Sequence, residues 1–474
     1  MARMIPGWSV PLALVTAATM ATAAGGPVAA AAGTGDVARF TLDNGMDVVV
    51  IEDARAPAVV HMVWYPVGAA DEPPGQSGIA HFLEHLMFKG TDTRAPGEFS
   101  AVVEQLGGRD NAFTSWDYTA YFQRTAAEHL PILMEMEADR MANLAFTEAE
   151  WLPERDVILE ERGQVVESRP GALFSEQMRA ALFTNHPYGT PIIGWRHEMA
   201  TLTGDNAMDF HAAHYGPNAA ILLVAGDVRA DEVLALAQQH YGTIPANPAI
   251  TTPARPQEPP HLAARRIEMT DPRVAQPYVM RQYLAPARRP GDQADAAALS
   301  VLAELLGGSR TTSVLARTLV QAEDAPALSV SAWYSGLARD DGTFTLAIVP
   351  AEGVDLATAE AALDDAVAAF MEAGVDPEQF ARVRTRIRAA EIFARDSVEG
   401  RARTMGTALS TGLEVADVEG WTDALMAVTP EQVMAAAQSV FDRTRSVTGW
   451  LQGPPDAHPT GPATVEPPMT EVMQ

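Results

Sequence analysis

Pro245, Pro248, Pro253, Pro256, Pro259 and Pro260 crowd into one stretch in the middle of the chain. Proline has no backbone N–H and a fixed φ, so neither a helix nor a central strand can run through this stretch. Residues 244–264 are therefore expected to form a stiff, extended linker, with the folded parts on either side. On the N-terminal side, Phe40 to Ile51 reads as two β-prone runs around Asn44-Gly45, the strongest short hairpin signal. Val59 to Val67 and Ala219 to Ala225 read as further strands, and helical spacing marks 79–88, 98–107, 126–143, 147–167 and 230–241. Beyond the linker the pattern partly repeats. Strands are expected near 277–284, 327–336 and 343–349, and helices at 292–306, 356–373, 377–396 and 400–412. Two halves of about 210 residues, each mixing strands with packed helices, give the expected class: an internally duplicated α+β protein. One domain is expected over 34–243, a second over 265–452, and a Pro-rich, flexible tail over 453–474.

The 474 residues include 33 Lys+Arg and 61 Asp+Glu, a net charge of 33 − 61 = −28. Such a chain repels phosphate backbones and anionic lipid surfaces, which argues against a nucleic-acid binder or a membrane-surface protein. There is no cysteine. Disulfides, thiolate metal sites and cysteine nucleophiles are excluded together, and any site chemistry must come from His, carboxylate, Ser or Lys. Residues 1–33 carry Arg3, an apolar run from Val10 to Met20, and Ala-x-Ala sites at Ala21–Ala23 and Ala29–Ala31. That is the pattern of a secretory signal peptide, with an uncleaved anchor as the alternative. The expected location is outside the cytoplasm, periplasmic or cell-envelope associated. No other stretch approaches the roughly 18 apolar residues of a stable membrane span.

His81-Phe-Leu-Glu84-His85 lies near the start of an apolar-periodic helix. Residues i and i+4 share one helix face, so the two imidazoles can grip one divalent cation, and Glu84 neighbours both. This H-x-x-E-H order is the inverse of the H-E-x-x-H zinc motif. A catalytic zinc takes three protein ligands and keeps one open position; without cysteine the third ligand is expected to be a carboxylate. The helix containing Glu154-Arg-Asp-Val-Ile-Leu-Glu-Glu161 offers several. Glu154 and Glu161 face the same way and Glu160 points about 100° away, but spacing alone does not rank them.

HFLEHLMFKGT, GGRDNAFTSWDYTAYF at 107–122, ERDVILEE at 154–161, HPYGTPIIG at 186–194 and YGPNAAILLVAGDV at 215–228 follow one another in order. Together they resemble the pitrilysin/insulinase family, in particular its branch of mitochondrial-processing-peptidase-like proteins. The resemblance covers most of 37–245 and weakens beyond it. It implies two homologous α/β-roll domains, the second enclosing the substrate. It implies one zinc per chain held by His81, His85 and Glu161, with Glu84 as general base and Glu154 as the supporting acidic residue. Asn111, Ala112 and Phe113 match the family's strand beside the metal, where an extended peptide substrate pairs with a strand edge. The implied activity is zinc-dependent endopeptidase action on exported peptides or small unfolded proteins. The alternatives are a non-catalytic assembly subunit and a zinc hydrolase of another substrate. The family's second domain supplies an Arg and, seven residues later, a Tyr. Here Val320 stands where the Arg belongs, with Arg310 and Arg317 nearby, and no Tyr occurs before Tyr334. A homologous partner supplying the Arg/Tyr pair, or a homodimer, is the expectation that follows.

Overall fold

The computed structural model describes residues 37–251 and 254–454. The expected leader, 1–33, and the tail from 455 lie outside the described residues. Each half is built on one mixed sheet. In the first half β1 (Val37–Thr41), β2 (Asp47–Glu52), β3 (Ala58–Tyr65), β4 (Arg109–Thr114), β5 (Thr119–Ala126) and β6 (Ile221–Gly226) assemble in the order β1-β2-β6-β3-β5-β4. In the second half β7 (Arg265–Thr270), β8 (Tyr278–Ala285), β9 (Ala327–Ser335), β10 (Gly342–Pro350) and β11 (Ser446–Gln452) assemble as β7-β11-β8-β10-β9.

The pairings coincide term by term. β2 runs parallel to β6 and β7 parallel to β11, and each of the remaining neighbours is antiparallel. The first half only adds β1, through the expected Asn44-Gly45 turn, where Gly45 sits at φ 89. This is the duplicated, mixed α/β architecture expected from the sequence. β6 (ILLVAG) is buried along its whole length, as a central strand covered on both faces should be, whereas β4 lies at the sheet edge and alternates. One boundary differs from the pattern reading. The helix expected from 126 begins at Leu130, because β5 runs on to Ala126 and a single 3₁₀ turn intervenes.

The halves are interlocked by an exchange of helices. Helix Pro170–Leu182, from the first half, lays Phe174, Met178 and Leu182 on the second sheet against Met280, Leu284, Val447 and Leu451. Helix Val398–Ser410, from the second half, lays Ala402, Met405 and Leu409 on the first sheet against Val60, Met62, Trp64 and Leu223. Glycine makes both approaches possible. A Cβ on Gly406 would overlap the Trp64 indole, and one on Gly449 would overlap Met178 and Phe174.

The linker is more than the expected spacer, because Arg255 is buried among acids from both halves. Its guanidinium pairs with Asp71 at 2.8 Å, Asp117 at 2.5 Å and Asp340 at 3.2 Å. Asp117 also accepts from the Tyr188 hydroxyl at 2.6 Å and from the Arg339 N–H at 3.1 Å. The tips of the β4–β5 and β9–β10 hairpins therefore meet at this cluster. Glu258 accepts the N–H groups of Thr184, Asn185 and His186 at 2.8–2.9 Å, tying the linker to the first half again.

Two outcomes follow. In Gly406→Ala the helix gains about 1 kcal/mol of propensity, but the clash with Trp64 in a packed interface costs roughly 1–3 kcal/mol. Net destabilisation is expected on chemical unfolding. Gly163→Ala, with nothing within 4 Å of its Cβ position, should be neutral or slightly stabilising. The second outcome concerns acid. Glu258 is held down to about 2, its burial outweighed by those N–H groups and His261, and Asp340 is held down to about 2 chiefly by His186. Depressed carboxylates stabilise fully above their unfolded values and lose that contribution as pH falls through their folded ones. The thermal midpoint should thus drop between about pH 4.5 and pH 2, and Glu258→Gln should remove part of that slope.

Candidate metal centre

The helix Ile79–Leu86 starts at Gly78, which sits at φ 87. Its first N–H groups are taken up by the half-buried Glu72 carboxylate, which accepts from Gly78 at 2.9 Å and Ala80 at 3.0 Å. Ile79, Ala80, Phe82, Leu83 and Leu86 fix the helix in the core of the first half. That leaves His81 and His85 one turn apart and edge to face, ring centroids 4.7 Å from each other and planes at 84°.

The second helix, Glu148–Arg162, begins in a capping box between Thr147 and Glu150 and ends in a π turn. It packs across the first so that Glu161 Oε2 lies 3.6 Å from His81 Nε2 and 3.4 Å from His85 Nε2. Glu154, two turns earlier, accepts from His85 Nδ1 at 2.8 Å and pairs with Lys89 at 2.5 Å. Glu160 is exposed and accepts from Gln164, away from the imidazoles. Among the described residues, His81, His85 and Glu161 are the one His/carboxylate group whose ligand atoms all lie within 4.8 Å of one another.

These residues fit a tetrahedral cation. Two ligands each about 2.0–2.1 Å from such an ion stand roughly 3.3 Å apart, close to the spacings found. Both ring nitrogens of His81 are buried with no hydrogen-bond partner, an arrangement a bound ion at one of them relieves. The His81 imidazole is pushed down to about 3, first by burial and then by His85, so it is neutral and its approach to Glu161 is not an ion pair. His85 is pushed up to about 9: burial opposes this, but Glu154 and Glu161 outweigh it. Glu84 is buried and pushed up to about 7 by that burial, against the pull of His85 and the Thr114 hydroxyl. Glu161 lies below the usual carboxylate range, burial being overcome by His85 and His81.

The strand residues take different positions. Asn111 is exposed on the edge strand β4, and its Oδ1 accepts the Ala112 N–H at 2.9 Å. The side chain of Ala112 is buried in the core, and that of Phe113 packs edge-on against Trp64 under Arg403. In the second half Arg317 is tied to Gln379 at 2.5 Å, Tyr334 donates to the Pro286 carbonyl, and Arg310 is exposed. The sequence pattern does not single out Glu72, Lys89 or Thr114, although the last two lie inside the HFLEHLMFKGT and GGRDNAFTSWDYTAYF runs.

Fold and site together define a two-lobed α/β scaffold of the metallopeptidase class, with an H-x-x-E-H helix and a carboxylate helix in the first lobe. Residues 47–195 match the model of Insulinase (Peptidase family M16), and residues 201–387 that of the Peptidase M16 inactive domain. The chain belongs to the insulinase family, M16. Zinc protease PqqE of Helicobacter pylori is 35% identical over 275 residues, covering 57% of this chain and 61% of that protein. A probable mitochondrial-processing peptidase subunit beta of Arabidopsis thaliana is 29% identical over 231 residues, covering 49% of this chain and 43% of its own. The likeness to these curated relatives thus spans roughly half of their length. The crystal structure of a protease from Helicobacter pylori superposes with a TM-score of 0.81 at 27% identity, covering 88% of this chain and 99% of that one.

A cation at His85 Nε2 must displace the extra proton that the metal-free imidazole carries up to about pH 9. Apparent metal affinity is therefore expected to rise about tenfold per pH unit across the neutral range. Chelator competition at several pH values measures this, and a flat profile would show that metal binding releases no proton from His85.

Proposed function

We propose that this chain is a zinc-dependent metalloendopeptidase, and the observation that carries the reading is the orphaned His81 imidazole facing His85 and Glu161 beside a buried Glu84. Zinc held by His81, His85 and Glu161 would supply a bound water of lowered pKa and a Lewis acid for the scissile carbonyl. The remaining work belongs to the chain. Glu154 accepts a hydrogen bond from His85 Nδ1–H, which fixes the tautomer and leaves the Nε2 lone pair for the cation between His81 and Glu161. Glu84 accepts the proton of the attacking water and passes it to the leaving amine. The open edge of β4, including Asn111, Ala112 and Phe113, pairs with an extended peptide by main-chain hydrogen bonds, so substrates are exported peptides or small unfolded proteins rather than one sequence. The net charge of −28 favours basic ones at low salt.

In this reading residues 34–243 form the catalytic domain, and 265–452 the domain that closes over the substrate. The leader pattern in 1–33 supports export to the periplasm or cell envelope, and among the described residues no helix is long and apolar enough to cross a membrane. With Arg317 and Tyr334 engaged locally, a homologous partner or a second copy would complete the substrate site, which the native mass and subunit composition test. A second reading, a non-catalytic assembly subunit, draws on the match of the second half to a domain described as inactive. Glu84→Gln separates the two. The variant should bind zinc normally and cleave a quenched peptide about 10²- to 10⁴-fold more slowly. Unchanged cleavage would reject Glu84 as the base, and absence of any cleavage by the wild-type chain with its partner would favour the assembly role.

A further inference from the structure

Thr114 is the last residue of β4, the edge strand, and its hydroxyl lies 2.5 Å from Glu84 Oε2. On the neighbouring strand Thr119, its cross-strand partner, spends its own proton on the Val67 carbonyl at 3.0 Å. The two threonine hydroxyls are 3.4 Å apart. With its proton on Val67, Thr119 can only accept from Thr114, and the Glu84 carboxylate at 2.5 Å is a far nearer acceptor than the Thr119 oxygen, so the Thr114 proton is directed at the carboxylate. A carboxylate otherwise has two equivalent oxygens and a broad torsion about its last bond. The bond from Thr114 breaks that equivalence: Oε2 is occupied and held, and Oε1 is left as the oxygen free to take a proton.

Resting on the metallopeptidase reading above, we propose that Thr114 is a positioning residue that fixes the Glu84 carboxylate from the substrate-binding strand and reserves Oε1 for proton transfer. The same strand that pairs with the peptide thus holds the base. Pairing that stiffens β4 also stiffens the Thr114–Glu84 bond, so the base is ordered most firmly when a substrate is present.

The test uses the full chain, with its partner if one co-purifies. The variants are Thr114→Val, Thr114→Ser, Glu84→Gln and the double variant Thr114→Val/Glu84→Gln. Zinc content and thermal midpoint are measured beside kcat and KM on a quenched peptide. Valine keeps the shape and strand preference of threonine and removes only the hydroxyl. Thr114→Val is expected to keep zinc and KM and to lower kcat about 10- to 100-fold, the fold-change of one charge-assisted hydrogen bond. Thr114→Ser should restore most of it. On the Glu84→Gln background the valine should cost little more, because the group it positions is no longer a base. A kcat unchanged in Thr114→Val, an equal loss on both backgrounds, or no recovery with serine would each overturn the proposal. If Glu84→Gln itself cleaves normally, the metallopeptidase reading falls and takes this one with it. If Glu84→Gln is inactive and Thr114→Val is not, only this inference falls.

Discussion

The crossing of two helices, Ile79–Leu86 and Glu148–Arg162, is the constraint from which the rest of the molecule takes its sense. It gathers two imidazoles and three carboxylates where water is largely excluded. Isolated charges in such a place are costly, so each must be matched or neutralised. Lys89 and His85 answer Glu154, and burial favours the neutral form of Glu84. Glu161 is left facing His85 and a His81 too strongly desolvated to carry a proton. Once the His85 proton leaves, the cluster carries a negative surplus and its spare lone pairs converge, which is the electrostatic description of a seat for a divalent cation.

The remainder of the fold holds this crossing in register with a strand edge and with a second lobe. Glu72 pins the start of the histidine helix, and Thr114 ties Glu84 to β4. The far end of the β4–β5 hairpin is fixed through Asp117 and Arg255 to the equivalent hairpin of the other sheet. Thr114 at the end of β4 and Asp117 in the turn that follows thus connect Glu84, through one hairpin, to the joint between the lobes. The joint itself is apolar where the exchanged helices cross the sheets and ionic where the hairpin tips meet, so it combines a broad hydrophobic contact with a directional lock.

Much of this was legible in the chain, and the parts that were not have physical reasons. The Asn44-Gly45 hairpin, the buried β6 and the shared face of His81 and His85 follow from local rules of turn geometry and helical period. The choice among Glu154, Glu160 and Glu161 does not. Spacing states which carboxylates share a face but not how one helix crosses another, so only likeness to a known family pointed at Glu161, and the crossing brings that residue to 3.4 and 3.6 Å from the imidazoles. β7 (RRIEMT) was missed because an edge strand alternates charged with apolar residues, and β11 because Gly449 interrupts it where a helix from the other lobe must pass. Helix Pro170–Leu182 shows the limit most clearly: its apolar face is visible in the sequence, while its partner, the sheet of the other half, is not. Thr114 escaped notice because a threonine at a strand end is ordinarily unremarkable, and only the approach of Glu84 gives its hydroxyl an acceptor.

The exchange of helices changes what the duplication means for the life of the chain. Each sheet is roofed partly by material encoded on the far side of the proline segment, so neither repeat is a self-sufficient module. A scission near residue 250 would leave two pieces that need one another to stay covered, and that would reassemble as complementing fragments rather than drift apart as separate domains.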